Sequence, residues 1–235
     1  MCSEEKLFAI GDLHLDSSQS KPMSVFGSRW ENHRDRLRAC WMDSITHTDV
    51  VLLPGDISWA MRLSEADLDL SFIADLPGRK VLLRGNHDFW WSSIGKVRSR
   101  LPQGMFALQN DAFVLEKSVI AGSRGWLIPT KETPLTAEDE KVYIREVSRM
   151  ELSLEAARLK GEGRPIIVMM HYPPIQKNNM SNGFTNLFSR YKVQKVVFGH
   201  IHNALPCERV SKQENGVTYQ LVSADSLDFM PFRIY

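Results

Sequence analysis

The feature that most constrains the fold is a recurring pairing of a short apolar run with a polar turn. The clearest example is the run 80–84, which is followed directly by Gly85-Asn86-His87-Asp88. A short, aliphatic run that ends at a glycine is typical of a buried strand. In α/β folds, ligand-binding groups lie beyond the carboxyl ends of such strands. This turn is therefore a candidate functional site.

Four further turns follow apolar runs in the same way, after residues 6–10, 49–53, 165–170 and 194–198. Because functional groups of α/β folds gather at the carboxyl ends of strands, we expect one edge of the sheets to hold the side chains of all five turns. The eight polar side chains in question are Asp12, His14, Asp56, Asn86, His87, His171, His200 and His202.

The spacing of the polar residues within two of these turns would let both side chains reach the same centre. In the segments 12–14 and 200–202, alternate residues of an extended chain point the same way, so both polar side chains can reach one centre. A glycine precedes four of the polar positions, and we expect it to let the backbone turn sharply there. Those four positions are Asp12, Asp56, Asn86 and His200.

The first half of the chain alternates predicted strands and helices. Apolar residues at helical spacing predict helices over 30–46 and 63–76, which lie between the strands 6–10, 49–53 and 80–84. A β-α-β-α-β order favours parallel strands joined by right-handed crossovers.

The second half is more varied. Three short strand-like pieces, separated by turn residues, predict a meander or hairpin. Thr136 and the acidic residues after it predict the start of one long helix over 136–160, which ends at Gly161. No linker or internal repeat interrupts the chain, so we interpret residues 1–235 as a single domain with two sheets. The three strand-like pieces are 106–109, 112–116 and 118–121. Further predicted elements are a short helix at 184–191 and a strand-like tail at 217–223 and 229–235.

Composition describes an ordinary globular protein. The net charge is +1, with 29 basic and 28 acidic residues, so no bulk field favours nucleic acid or a membrane. Cys2, Cys40 and Cys207 are widely spaced and match no metal motif, which indicates reduced thiols. No signal-peptide core and no apolar stretch of about 18–20 residues occurs. We therefore expect a cytoplasmic protein without a transmembrane segment.

The chemistry of the eight side chains suits metal ions. Carboxylates, imidazoles and an amide oxygen together favour first-row cations such as Mn²⁺, Fe or Zn²⁺. Eight groups are too many for one tetrahedral site, but they suffice for two sites that share a bridge. A single histidine is ordinarily structural, and we interpret His33 and His47 in that way. The joint occurrence of five such turns favours a centre of two divalent metal ions.

The motifs in their order resemble those of the calcineurin-like metallophosphoesterases, from Asp12 to His202. Gly-Asn-His-Asp combined with Gly-His-x-His is specific to that family, whereas Asp-x-His or Gly-Asp alone would be weak. The resemblance implies an α/β fold in which two mixed β-sheets pack as a sandwich flanked by helices, giving four layers, α/β/β/α.

The resemblance also implies a role for each polar residue. The first metal would be held by Asp12, His14 and His202, and the second by Asn86, His171 and His200. The carboxylate of Asp56 would bridge the two metals. His87 would be the histidine that binds no metal and lies beside the substrate phosphate.

These roles imply a phosphoesterase in which a hydroxide between the two metals attacks phosphorus. His87 would stabilise the developing charge or protonate the leaving oxygen. Trp59 stands where protein phosphatases of the family have an acidic residue that orients this histidine. A phosphodiesterase acting on a small molecule, a nucleotide or a lipid head group is therefore favoured over a protein phosphatase.

Two other functions are consistent with the sequence. One is a nuclease acting on DNA or RNA, which the near-zero net charge disfavours. The other is a non-catalytic metal-binding scaffold, which the complete set of ligand positions disfavours. The motifs leave the oligomeric state open.

Several neighbouring residues are weaker candidates. We interpret Asp88 as structural, capping the turn or a helix start at Phe89. Arg84 is equally consistent with facing a phosphate and with pairing elsewhere, and Arg124 and Asn178 are weak substrate candidates. The tryptophans near the turns could stack on a ring, although burial is their commoner fate. They are Trp59, Trp90, Trp91 and Trp126.

Overall fold

A computed structural model describes residues 4–17, 21–130, 133–176, 181–204 and 211–235. Cys2, Cys207 and Asn178 lie outside these ranges. The strands are β1 Leu7–Ala9, β2 Val50–Pro54, β3 Arg79–Leu83, β4 Met105–Ala107, β5 Phe113–Val114, β6 Val119–Ser123, β7 Ile166–Met170, β8 Lys195–Phe198, β9 Lys212–Glu214, β10 Val217–Leu221 and β11 Phe232–Arg233. The α-helices are α1 His33–Ser44, α2 Asp67–Ala74, α3 Ile94–Arg100, α4 Ala137–Lys160 and α5 Gly183–Arg190.

The strands form two mixed sheets. The first has the order β11-β1-β2-β3-β4, in which all neighbouring strands are parallel except the β11–β1 pair. The second has the order β5-β6-β7-β8-β10-β9, with antiparallel pairs only at its two edges. The predicted parallel order of the first three strands is confirmed, with α1 and α2 in the two crossovers.

The two sheets pack face to face between two layers of helices. Alternate residues of a strand point to opposite faces, and both faces of these strands are buried. In β2, Val50 and Leu52 join the core between the sheets, whereas Val51 and Leu53 pack with residues of α1, α2 and α3. The outer face of the second sheet packs in the same way with α4 and α5. The α/β/β/α layers implied by the resemblance are confirmed.

Most predicted elements are present, with shorter bounds. The helices predicted over 30–46, 63–76 and 136–160 correspond to α1, α2 and α4. Trp30 belongs to a short 3-10 helix, Ser28–Trp30, that precedes α1. Neither α3 nor β9 was predicted. Both are short, so their periodic patterns are weak.

The predicted meander over 106–121 is partly wrong. The strand β4 pairs with β3 in the first sheet, whereas β5 and β6 form an antiparallel hairpin in the second. The turn at Asn110-Asp111 therefore lies where the chain crosses from one sheet to the other. Leu108, next to this turn, is buried in the core between the sheets. Local turn chemistry marks such a turn but does not decide which sheet receives the next strand.

The N-terminus of α4 gives a test of the predicted cap. The hydroxyl of Thr136 accepts a hydrogen bond from the backbone N–H of Asp139 at 3.1 Å. We expect Thr136→Ala to lower the free energy of unfolding by about 0.5–2 kcal/mol, measured by urea denaturation. Ser148→Ala, at an exposed position inside the same helix, is the control and should change it by less than about 0.5 kcal/mol. Equal effects of the two changes would contradict the capping role.

Candidate metal centre

The carboxyl ends of strands from both sheets meet at one edge, where the five turns are joined by hydrogen bonds. Within the first sheet, the backbone N–H of Asp12 donates to the carbonyl of Gly55 at 2.9 Å. Between the sheets, a ring nitrogen of His171, Nδ1, lies 3.1 Å from the carbonyl oxygen of Pro54. The backbone N–H of Gly199 donates to the carbonyl of His171 at 3.1 Å. The predicted convergence of the turns is therefore present.

One cluster of possible ligands contains Asp12, His14 and His202. Nε2 of His14 lies 3.2 Å from Nε2 of His202, and the latter atom lies 3.9 Å from Oδ1 of Asp12. Each residue offers a donor atom within 4.8 Å of the others, which suits a single cation. Asp12 and His14 are buried, and His202 is half-buried.

A second cluster contains Asn86, His171 and His200. Oδ1 of Asn86 lies 2.6 Å from Nε2 of His171 and 3.0 Å from Nδ1 of His200. The two ring nitrogens are 3.2 Å apart. These are the three residues that the resemblance implies for the second metal.

Asp56 lies between the two clusters. Its Oδ2 atom is 3.7 Å from Nε2 of His14 in the first cluster and 3.5 Å from Nε2 of His171 in the second. Its Oδ1 atom accepts a hydrogen bond from the backbone N–H of His87 at 2.8 Å. One carboxylate can therefore face both clusters at once, as a bridging ligand must.

The protonation chemistry of the site fits cations. Burial lowers the pKa of His14 and of His171 well below the usual range, and burial is also the main cause that lowers the pKa of His200 to about 4. Neutral imidazoles offer lone pairs to a metal. Burial, followed by the neighbouring carboxylates, raises the pKa of Asp56 to about 9. Keeping such a carboxylate ionised requires positive charge, so the donor set fits divalent cations.

The backbone is strained at four of the candidate ligand positions. Asp12, His14, Asp56 and His200 have φ values of 54°, 45°, 51° and 71°. Residues with side chains adopt this left-handed conformation at a cost of about 1–3 kcal/mol, and such strain gathers at functional sites. The packed sheets on either side hold these four residues in place.

The expected role of the preceding glycines needs correction. Among these four glycines, only Gly55 has a left-handed φ, 94°. Gly85 and Gly199 are needed because other groups approach them closely. A Cβ atom on Gly85 would lie 2.1 Å from Oδ1 of Asp56, and one on Gly199 would lie 2.2 Å from Oδ2 of Asp12. These two glycines therefore make room for the carboxylates of other turns.

Sequence reasoning missed Asp225. Its Oδ1 atom lies 3.1 Å from Nδ1 of His202, and its Oδ2 atom accepts the backbone N–H of Asn203 at 2.8 Å. A buried carboxylate behind a histidine fixes the ring orientation and leaves the other nitrogen for a metal. The only sequence signal for this role was an acidic residue between the two strand-like pieces predicted for the tail.

Asp88 holds two of the turns together. Its buried carboxylate accepts the backbone N–H groups of Ile57, Ser58 and Gly85 at 2.9, 3.2 and 2.7 Å. It also accepts the indole N–H of Trp90 at 2.9 Å. These bonds support the interpretation that Asp88 is structural, and they link the turn after β2 to the turn after β3. No helix begins at Phe89.

His87 packs against Trp59. The ring centroids are 4.6 Å apart, and the same indole stacks on His14 at 4.9 Å with an interplanar angle of 24°. Within the described residues, no carboxylate pairs with the His87 ring. The indole therefore restrains this half-buried histidine by packing. Trp90 and Trp91 are buried in the core between the first sheet and its helices, and Trp126 packs against Tyr172.

Comparison with known protein families agrees with this geometry. The family model described as calcineurin-like phosphoesterase matches residues 6–204. Because this match covers most of the 235 residues, the chain belongs to the calcineurin-like phosphoesterase family. A comparison with curated protein sequences finds no significant match.

Several solved structures have a similar fold. Phosphopantetheinyl Hydrolase (PptH) from Mycobacterium tuberculosis has a TM-score of 0.59 and 15% identity, over 100% of this chain and 97% of that one. TT1561 of Thermus thermophilus has a TM-score of 0.52 and 12% identity, over 94% and 89%. AQ665 from Aquifex aeolicus, a protein of unknown function, has a TM-score of 0.50 and 13% identity, over 98% and 96%. At such identities the likeness shows the fold alone.

Within the described part of the chain, no helix combines the length and apolar character that crossing a bilayer requires.

The close approach at Gly199 gives a test of the metal centre. Gly199→Ala places a methyl group against the Asp12 carboxylate, which must shift. We expect the affinity for Mn²⁺, measured by calorimetry, to fall by about 10–100-fold, as for other changes that displace ligands. Gly95→Ala is the control, because a Cβ there has nothing within 4 Å. Unchanged Mn²⁺ affinity in a folded Gly199→Ala protein would contradict the role of Asp12.

Proposed function

We propose that this protein is a phosphoesterase that uses two divalent metal ions to hydrolyse phosphodiesters of small molecules. The observation that carries the proposal is the position of Asp56, with one oxygen within 3.7 Å of both ligand clusters. An isolated metal site has no need of a carboxylate shared with a second cluster. A pair of metal ions requires such a shared carboxylate, and pairs of this kind are typical of enzymes that act on phosphate esters.

The residues present define how the centre would be assembled. The first ion would be held by Asp12, His14 and His202, and the second by Asn86, His171 and His200. The carboxylate of Asp56 would bind both ions. When bound, such ions polarise the phosphoryl oxygens and lower the pKa of water, which makes a nucleophile available at neutral pH. Asp225 and the carbonyl of Pro54 would keep the rings of His202 and His171 oriented.

His87 is the residue we assign to the leaving group. Its backbone N–H donates to Asp56, which fixes its position beside the metal centre. Its ring is half-buried against Trp59 and, among the described residues, pairs with no carboxylate. A histidine in this setting can donate a proton to the leaving oxygen or stabilise the charge that develops on it.

Trp59 supports a diester over a phosphorylated protein as the substrate. An indole in place of the acidic partner forms an apolar wall beside His87 and His14. Such a wall favours an organic substituent on the phosphate, since burying apolar surface there is favourable.

The shared carboxylate gives the first test of this function. With Mn²⁺ present, the protein should hydrolyse bis(p-nitrophenyl) phosphate. Asp56→Asn should lower kcat/KM by about 100-fold or more, the cost typical of losing one charge-stabilising group. Asp49→Asn is a matched control, because Asp49 is equally buried, at 1% exposure, but lies at the other end of β2.

Two results would contradict the proposal. One is a lack of activity of the wild-type protein on monoesters and diesters with every divalent metal tried. The other is equal activity of the Asp56→Asn and Asp49→Asn variants.

The role of His87 gives a second test. His87→Ala should lower kcat by about 10²–10⁴-fold on an alkyl phosphodiester, whose leaving oxygen needs a proton. The loss should be smaller on the p-nitrophenyl ester, whose leaving group is stable as an anion. His47→Ala, at an exposed position away from the turns, is the control. Equal losses on both esters would argue against proton donation by His87.

A further inference from the structure

A polar cavity lies beside the candidate metal centre. It has a volume of about 410 Å³ and opens at the carboxyl ends of β3 and β6, under one face of α4. We call it the arginine pocket. Its charged and hydroxyl-bearing lining includes Arg84, Ser92, Arg124, Arg145, Glu146 and Arg149.

The arginine pocket carries an excess of positive charge. Among the described residues that line it, four arginines face a single carboxylate, that of Glu146, which leaves three positive charges uncompensated. Oε1 of Glu146 lies 2.7 Å from Nη1 of Arg149 and 4.0 Å from Nη2 of Arg124. Within the described residues, no carboxylate forms an ion pair with the guanidinium group of Arg84 or Arg145.

Two of the guanidinium groups have unmet hydrogen-bonding capacity. The Nε atoms of Arg84 and Arg124 are buried and have no hydrogen-bond partner among the described residues. An unpaired buried donor is costly, and the cost is larger for a charged group. An anion in the pocket would satisfy these donors.

The arginine pocket is joined directly to the second metal-ligand cluster. The carbonyl oxygen of Arg124 accepts the backbone N–H groups of His171 at 3.2 Å and Tyr172 at 2.9 Å. Arg84 precedes Asn86 by two residues in the turn after β3. An anion held by these two arginines would therefore lie next to the phosphate that the metal centre would bind.

We propose that the arginine pocket binds a second phosphate group of the substrate, so that the substrate is a small phosphoester carrying another phosphate. This inference rests on the proposed function and adds a substrate class to it. Guanidinium groups bind phosphate through paired N–H donors. Three uncompensated positive charges suit a dianionic phosphate better than a singly charged carboxylate. Ser92 adds a hydroxyl group to the lining.

A matched pair of chromogenic esters tests the substrate class. The p-nitrophenyl ester of thymidine 5′-phosphate has one phosphate, and its 3′-phosphorylated form has two but the same scissile bond. We expect kcat/KM for the second ester to exceed that for the first by about tenfold or more, the range for one or two charged hydrogen bonds. Arg84→Gln and Arg145→Gln should each reduce this ratio towards one.

Controls on the same helix separate the arginine pocket from general charge effects. Arg145 is exposed, so its replacement does not endanger the fold. Arg158→Gln removes an exposed arginine of α4 that pairs with Glu155 outside the pocket, and it should leave the ratio unchanged. Equal kcat/KM for the two esters, or equal ratios in Arg145→Gln and Arg158→Gln, would overturn the proposal.

A binding measurement keeps this proposal distinct from the catalytic one. Inorganic pyrophosphate is titrated into the full chain by calorimetry, with and without Mn²⁺. We expect binding without the metal, weakened about tenfold or more by Arg145→Gln and unchanged by Arg158→Gln. If neither ester is hydrolysed but this pattern holds, the catalytic proposal fails and the anion site stands. If both esters are hydrolysed but pyrophosphate binding does not depend on Arg145, the anion-site proposal fails and the catalytic proposal stands.

Discussion

The candidate site depends on the position of one buried carboxylate, that of Asp56. One oxygen faces a cluster from each side, and the other accepts the backbone N–H of His87. This arrangement requires a left-handed backbone at Asp56 and a glycine at position 85, because a Cβ there would meet the carboxylate. The geometry that would let Asp56 serve two metal ions is therefore the geometry that restricts the residues around it.

The two packed sheets stabilise this strained arrangement. Parallel strands covered on both faces form a rigid frame, so that the turns at their carboxyl ends cannot relax independently. Asp88 links the turn after β3 to the turn after β2 through its two hydrogen bonds to Ile57 and Ser58, and Asp225 supports His202 from the chain beyond β10. The packed core of the fold thus holds charged and polar groups together at one edge of the sheets.

The same edge carries both the candidate metal centre and the arginine pocket. The two sites suit ligands of opposite charge. Buried carboxylates and neutral imidazoles suit cations, whereas uncompensated guanidinium groups suit an anion. The backbone of Arg124 joins the two sites through its bonds to His171 and Tyr172. A phosphoester with a second phosphate would match this pair of environments.

The sequence by itself determined the parallel strands, the polar turns and the family, because apolar runs, glycines and motif spacing are local properties of the chain. It did not determine that β4 and β5 join different sheets, since sheet membership depends on long-range packing. Only the tertiary structure decided that Gly85 and Gly199 make room for carboxylates of other turns. The same holds for Asp225 and the arginine pocket, whose residues come from separate elements and share no local pattern. Their proximity arises only when the two sheets pack together.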